Sequence, residues 1–374
     1  MSKRHLAIAG AAALSLLLAA CGSSSGGGTT TSAAPAESSS SAAPAGKVGV
    51  ILPDSASSAR WETADRKFLT EAFDAAGVES DIQNANGDKT KFATLCDQFV
   101  SGGVSVLLIV NLDSETGAAC ASKAVAQGIK VIDYDRLTLG GGSSYYVSFD
   151  NVAVGTKIGE GLVKCMQDGG KASGNVVLLN GSPTDNNATL FKQGYEKVIK
   201  DAGYTITEDQ SVPDWDNTKA GTIFEQIYTK TGGDFVGVAS ANDGLGGAVI
   251  SVLDKNGLAG KIPVTGQDAT DEGLQRVLLG TQCMTVYKAI KAEADAASAL
   301  AIALIKGDTA AADALATGKT ADSVTGQDVP SVLLVPVGIT AETVKDVVAD
   351  GFTTAANLCT TDELKAACEK YGVS

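Results

Sequence analysis

The sequence predicts an α/β protein organised as two Rossmann-like lobes, each built on a parallel sheet covered on both faces. Three observations carry this. Short runs rich in Val and Ile alternate with helix-length amphipathic stretches along the folded region, a βαβα rhythm. The strand-like runs are apolar without interruption, as strands are when helical crossovers cover both faces of their sheet. The stretch beyond residue 46 exceeds one average domain and suits two α/β lobes.

Taken in order, the chain opens with Lys3 and Arg4, an apolar stretch over 6–17 and the run Leu18-Ala19-Ala20-Cys21. Residues 1–20 read as an export signal, because the apolar core falls short of the ~20 residues of a spanning helix. Cys21 directly after Leu-Ala-Ala resembles the bacterial lipobox, in which the thiol is lipidated and becomes the first residue of the mature chain. An ordinary signal with an incidental cysteine is the alternative. Beyond Cys21, residues 22–46 are Gly, Ser, Thr, Ala and Pro with the single charge Glu37. Residues 21–46 therefore form a flexible tether of ~25–30 Å root-mean-square span. Strands follow at 48–52, 80–83, 104–110, 130–134, 175–179, 235–239, 263–266 and 282–286. Helices lie between them, among others at 62–76, 89–101, 152–167, 187–202, 244–256 and 291–306.

Composition excludes several kinds of chemistry. The single histidine, His5, lies in the export segment, so the mature chain has no imidazole to serve as base, shuttle or metal ligand. Removal of Lys3 and Arg4 leaves 27 basic against 43 acidic residues, a net charge of −16. Such a surface repels nucleic acid and anionic membranes. No metal site is expected: Asp214-x-Asp216-x-Thr218 with Glu225 faintly resembles a calcium loop, but Lys219 stands where that loop requires Gly. No cofactor is expected either, since the glycines of Asp243-Gly244-Leu245-Gly246-Gly247 have the wrong spacing for a dinucleotide fingerprint.

With Cys21 assigned to lipid, six cysteines remain for an oxidising compartment. Cys359 and Cys368 bracket a short helical stretch, and Cys96 and Cys120 sit on successive predicted helices. Those pairings come first, and Cys165 with Cys283 follows by elimination. Free buried thiols are the alternative.

Polar clusters stand at the carboxyl ends of the predicted strands: Asn84-Ala85-Asn86-Gly87, Asn111-Leu112-Asp113, Asp135-Arg136, Gly181 through Asn187, Ala241-Asn242-Asp243, Gln267-Asp268 and Lys288. In open α/β sheets that edge is where ligands bind. Each cluster by itself is better explained by a helix cap or a turn. Seven on the same edge argue for a site.

Ten stretches carry a resemblance: Ala59-Arg60-Trp61, Asn84-Ala85-Asn86-Gly87, Tyr134-Asp135-Arg136, Ser148-Phe149-Asp150-Asn151, Gly181 through Phe191, Asp214-Trp215, Ser240-Ala241-Asn242-Asp243, Gly266-Gln267-Asp268-Ala269, Gly280 through Lys288, and Asp328-Val329-Pro330-Ser331. In this order the chain resembles the D-xylose-binding proteins of bacterial sugar ABC transporters, members of the ribose-binding-like, type I periplasmic binding proteins. The resemblance runs from about residue 47 to residue 352. It implies two lobes joined by three hinge crossovers with a sugar between them. The lobes would comprise 47–152 plus 288–327 and 153–287 plus 328–352, leaving 353–374 as a tail beyond the pattern. Carried over motif by motif, the sugar contacts are Arg60, Trp61, Asp135, Arg136, Asp185, Asn187, Trp215, Asn242, Asp268 and Lys288. Ala59 replaces an acidic residue of the pattern, and Asp65-Arg66 falls one residue later than in it.

The residue types suit a neutral monosaccharide without appeal to the family. Carboxylates and amides share hydrogen bonds with hydroxyls, Arg and Lys donate to oxygens, and indoles cover C–H faces. Three acids, Asp135, Asp185 and Asp268, balance Arg60, Arg136 and Lys288, which argues for an uncharged ligand. The expectation is a monomeric, non-enzymatic, extracytoplasmic receptor, lipid-anchored to the cell membrane, that delivers D-xylose to a membrane permease. Glucose, ribose or arabinose, a sensor or chemotaxis partner, and an exported carbohydrate-active enzyme using Asp185 and Asp268 are the alternatives.

Overall fold

The computed structural model describes residues 46–374. The export segment, Cys21 and the tether up to residue 45 lie outside the described residues.

The first lobe is a seven-stranded sheet. Its strands are β1 (Lys47–Leu52), β2 (Glu79–Asn84), β3 (Val106–Ile109), β4 (Lys130–Tyr134) and β5 (Tyr145–Phe149), joined by two strands from the end of the chain. The second lobe centres on β6 (Asn175–Asn180), flanked by β7 (Thr205–Ser211) and β8 (Gly237–Ser240). Single bridges from Val238 to Val264 and from Thr265 to Met284 extend it toward β9 (Thr285–Tyr287). The late strands are β10 (Gly318–Ala321), β11 (Asp328–Leu334) and β12 (Val337–Ile339). The predicted strand at 263–266 thus contributes only isolated bridges.

Strand order locates the site. The first sheet runs β10-β11-β5-β4-β3-β1-β2, with β1 parallel to both β2 and β3. The chain leaves β1 toward one side and later crosses to the other, which opens a crevice beyond the carboxyl ends of β1 and β3. The second sheet repeats this about β6, which pairs in parallel with β7 and β8. Such switch points are the ligand edges of open α/β sheets.

The crossovers correct one expected boundary. The chain enters the second lobe through the helix Asn151–Asp168, whose Val154, Ile158, Leu162 and Met166 are buried in the second core. It returns after β9 through the helix Ile290–Ile305, whose Ala294, Ala297 and Leu300 lie in the first core. The third crossover was expected near 328, with 328–352 in the second lobe. Instead β11 lies parallel to β5, Ser331 opposite Tyr146 through Leu334 opposite Phe149, so the strand belongs to the first sheet. The chain crosses after Leu334, and β12 pairs with β9 in the second lobe.

The helices Asn151–Asp168 and Asn186–Asp201 meet backbone to backbone. A Cβ at Gly155 would stand 1.9 Å from the carbonyl oxygen of Phe191. Residues 353–374 pack closely, because Leu358, Leu364, Cys368 and Val373 are buried in one cluster with Leu274, Val277 and Tyr287. The cysteines stand in three pairs, Cys96–Cys120, Cys165–Cys283 and Cys359–Cys368, with Cα separations of 5.8, 6.4 and 6.2 Å. Among the described residues no helix is long and apolar enough to cross a membrane.

Candidate functional site

All ten residues singled out in the sequence line one cavity between the two lobes.

On the first lobe the site begins after β1. Trp61–Asp65 form a single wide π turn, closed by the Arg66 N–H donating to the Trp61 carbonyl. Residues five apart on an α-helix point roughly 140° away from each other, whereas the wider turn brings them to one side. Arg60 and Asp65 therefore face each other. Nε donates to Oδ2 at 2.9 Å and Nη2 to Oδ1 at 2.7 Å. The π turn holds one residue more than an α-helical turn would. Ala59, a departure from the family pattern, is exposed and lies outside the cavity wall.

Arg60 is held further by Asp135 Oδ2, 2.9 Å from Nη1, and Glu293 Oε2, 2.7 Å from Nη2, while the Tyr134 hydroxyl donates to Asp65 at 2.6 Å. Burial opposes the Arg60 charge, but Asp65, Asp135 and Glu293 together hold its pKa well above the ordinary value. Burial also pushes the Glu293 carboxyl well above the carboxylate range, against the pull of Arg60. Asp65 was noted in the sequence only for its offset and Glu293 not at all, and they change the charge balance. Five carboxyl groups now face three cations, and Glu293 is held toward its neutral form. With no surplus of positive charge, the site disfavours an anionic ligand more strongly than the three-against-three count suggested.

Asp135 adopts a left-handed conformation after β4, with φ of 61°. That costs free energy for a residue other than Gly. Three donors to its carbonyl secure it: Ser148 Oγ at 2.8 Å, Tyr146 OH at 2.9 Å and Asn187 Nδ2 at 2.9 Å. Its Oδ2 also accepts from Lys288 Nζ at 3.2 Å. Burial raises the Asp135 pKa, and Lys288, Arg60 and Arg136 more than reverse that, leaving it well below the usual carboxylate range.

The second lobe contributes side chains that cap helices and line the cavity at once. Asp185 accepts from the Asn187 N–H at the start of Asn186–Asp201, and its Oδ2 accepts from Trp215 Nε1 at 3.1 Å. The same oxygen lies 3.1 Å from Arg136 Nε of the first lobe. Asn242 caps the helix Asp243–Lys255 through Oδ1, and its Nδ2 donates across the cleft to the Ser57 carbonyl at 3.3 Å. Helix capping and cavity lining coincide in these two side chains. Asp268 is left-handed, with φ of 95°, and its Oδ1 stands 3.5 Å from Lys288 Nζ. Trp215 is left-handed too and lies against the bare Cα of Gly181.

Asn187 differs from the other nine. Its Nδ2 is committed to Asp135, and its Oδ1 accepts from Asn151 Nδ2 at 2.9 Å. It lines the cavity mainly to position Asp135. Asn111 plays a similar part outside the wall, donating to the Arg136 carbonyl at 3.2 Å. The wall also includes Ser57, Ser58, Phe191 and Gln267, which the sequence reading passed over. Phe191 lies four residues beyond Asn187 on one helix face, a spacing from which it could have been found. Gln267 was part of a quoted cluster but was not chosen.

Residues 48–309 match the family described as periplasmic binding protein domain. The chain is 34% identical over 311 residues to the D-xylose-binding periplasmic protein of Escherichia coli, covering 82% of this chain and 90% of that protein. It is 33% identical over 318 residues to the protein of that name in Haemophilus influenzae, covering 83% and 92%. Among solved structures, a carbohydrate transporter solute-binding protein from Chloroflexus aurantiacus in complex with D-glucose superposes with a TM-score of 0.73 at 28% identity, over 83% of this chain and 97% of that one. The two lobes, the cavity between them and this likeness lead to one conclusion: the chain belongs to the periplasmic binding protein family.

Proposed function

We propose that the chain is the sugar-binding receptor of an ABC-type importer, which encloses a neutral monosaccharide, D-xylose in first place, between its lobes and delivers it to a membrane permease. The observation that carries this reading is the shared cavity: both lobes send hydroxyl-matching carboxylates, amides and cations into it, beside the indoles of Trp61 and Trp215. The relatives named for D-xylose, matched over most of their length, support that sugar. Sugar binding favours the closed population of the two lobes, and the closed form is what a permease would recognise. Cys21 supplies the anchor and residues 22–46 the tether, which hold the receptor, a monomer in this reading, at the outer face of the cell membrane. Catalysis forms no part of this reading.

D-glucose is the second candidate ligand, because solved structures at 28% and 26% identity hold it. A thermal-shift screen over pentoses, hexoses and inositols separates the two. A ligand bound only by the native state, at a hundredfold excess over Kd, raises stability by ~2.7 kcal/mol. D-xylose is expected to give the largest shift. Absence of a shift with every neutral monosaccharide overturns the proposal.

A further inference from the structure

Gln267 lines the cavity, and no hydrogen bond among the described residues involves its side chain. It is 3% exposed, and its Oε1 is buried without a hydrogen-bond partner among the described residues. Buried amide oxygens are rarely left so, and each one without a partner is destabilising. The backbone explains how it comes to line the site. Along an extended segment Gln267 and Asp268 would project to opposite faces. The left-handed φ values of Asp268 (95°) and Ala269 (50°) break that alternation, and both side chains line the cavity. The backbone is itself tied down, with the Asp243 N–H donating to the Gln267 carbonyl and the Asp268 N–H to the Val286 carbonyl, each at 2.9 Å. A rigid segment thus places an unused acceptor directly beside Asp268, whose carboxylate faces Lys288.

We infer that Gln267 is a specificity-determining ligand contact that accepts a hydrogen bond from one ligand hydroxyl, adjacent on the ring to the hydroxyl taken by Asp268. This rests on the sugar-receptor reading. A ligand lacking that hydroxyl leaves the amide oxygen orphaned, so the site selects for a vicinal pair of hydroxyls at this end of the cavity.

The test is calorimetric titration of wild type, Q267M and Q267E with D-xylose and its 2-, 3- and 4-deoxy analogues, with circular dichroism as the check of folding. Q267M is expected to bind D-xylose about tenfold more weakly than wild type, the loss of one buried hydrogen bond. For one analogue only, Q267M and wild type should bind equally within about twofold, because the hydroxyl that Gln267 serves is already gone. Q267E keeps an oxygen at the same reach and should still discriminate against that analogue, which preserves the test if Q267M does not fold. A uniform loss across all four sugars in Q267M, or wild-type affinity for D-xylose, overturns the inference while leaving the receptor reading intact. Wild-type protein that binds none of the sugars overturns the receptor reading and this inference with it.

Discussion

Replacing Gly181 with Ala should damage the site through a residue the substitution does not touch chemically. A Cβ at this position would lie 2.0 Å from Cη2 of Trp215 and 2.2 Å from its Cζ2, where ordinary contact begins at 3.4 Å. The ring must therefore retreat by about 1.4 Å. Because Trp215 is only 6% exposed and packs edge-on against Phe191 at 6.4 Å, the retreat meets other packed atoms. Overpacking of this kind costs about 1–3 kcal/mol of stability. It also draws Nε1 away from Asp185 Oδ2, a 3.1 Å bond to a charged acceptor worth about 1.5–3 kcal/mol. Sugar affinity should fall about tenfold or more, since Asp185 then loses the donor that orients it. The assay is a double-mutant cycle in chemical denaturation with W215F as the second change. Phenylalanine does not reach the atoms with which the new Cβ collides, so G181A should cost much less in the W215F background, a coupling of about 1–3 kcal/mol. Strictly additive costs, or a G181A protein as stable and as sugar-avid as wild type, would refute the reasoning.

Burial pushes the Asp133 carboxyl up to about 7 despite hydrogen bonds from the Thr138 N–H at 2.9 Å and hydroxyl at 2.6 Å. The folded state then holds a proton that the unfolded chain has already released. Stability should therefore fall as pH rises from about 4 to about 7, by up to ~4 kcal/mol from this group, and D133N should flatten that fall in thermal melts from pH 5 to 8; an unchanged slope counts against it. Trp61 and Trp215 lie on opposite lobes and are the only tryptophans in the chain, so saturating sugar should change intrinsic emission without a label. Either Trp→Phe variant should keep part of that signal, and calorimetric binding with unaltered emission would show the site misplaced. Replacing Cys21 with Ala should move the protein from membrane to soluble fractions without changing sugar affinity, and continued membrane retention on fractionation would contradict lipid anchoring.

The sequence by itself determined whatever is local. Apolar periodicity located the helix over 89–101 and the strand at 130–134 to the residue. Polar residues after the strands marked the ligand edge because that edge is a consequence of chain direction in a parallel sheet. Tyr145–Phe149 and Thr205–Ser211 escaped notice, the latter because Thr205–Ser211 is an edge strand with one buried side chain, Glu208, and no apolar run. Tertiary structure alone decided which sheet β11 would join, since a seven-residue strand carries no record of its partner almost two hundred residues earlier. It also decided the electrostatics. Glu293 lies 233 residues from Arg60 and looks like any glutamate of an amphipathic helix, yet the return crossover buries it against that guanidinium. Charge balance in a cavity depends on what burial brings together, and burial is set by the packing of distant elements rather than by any local run of residues.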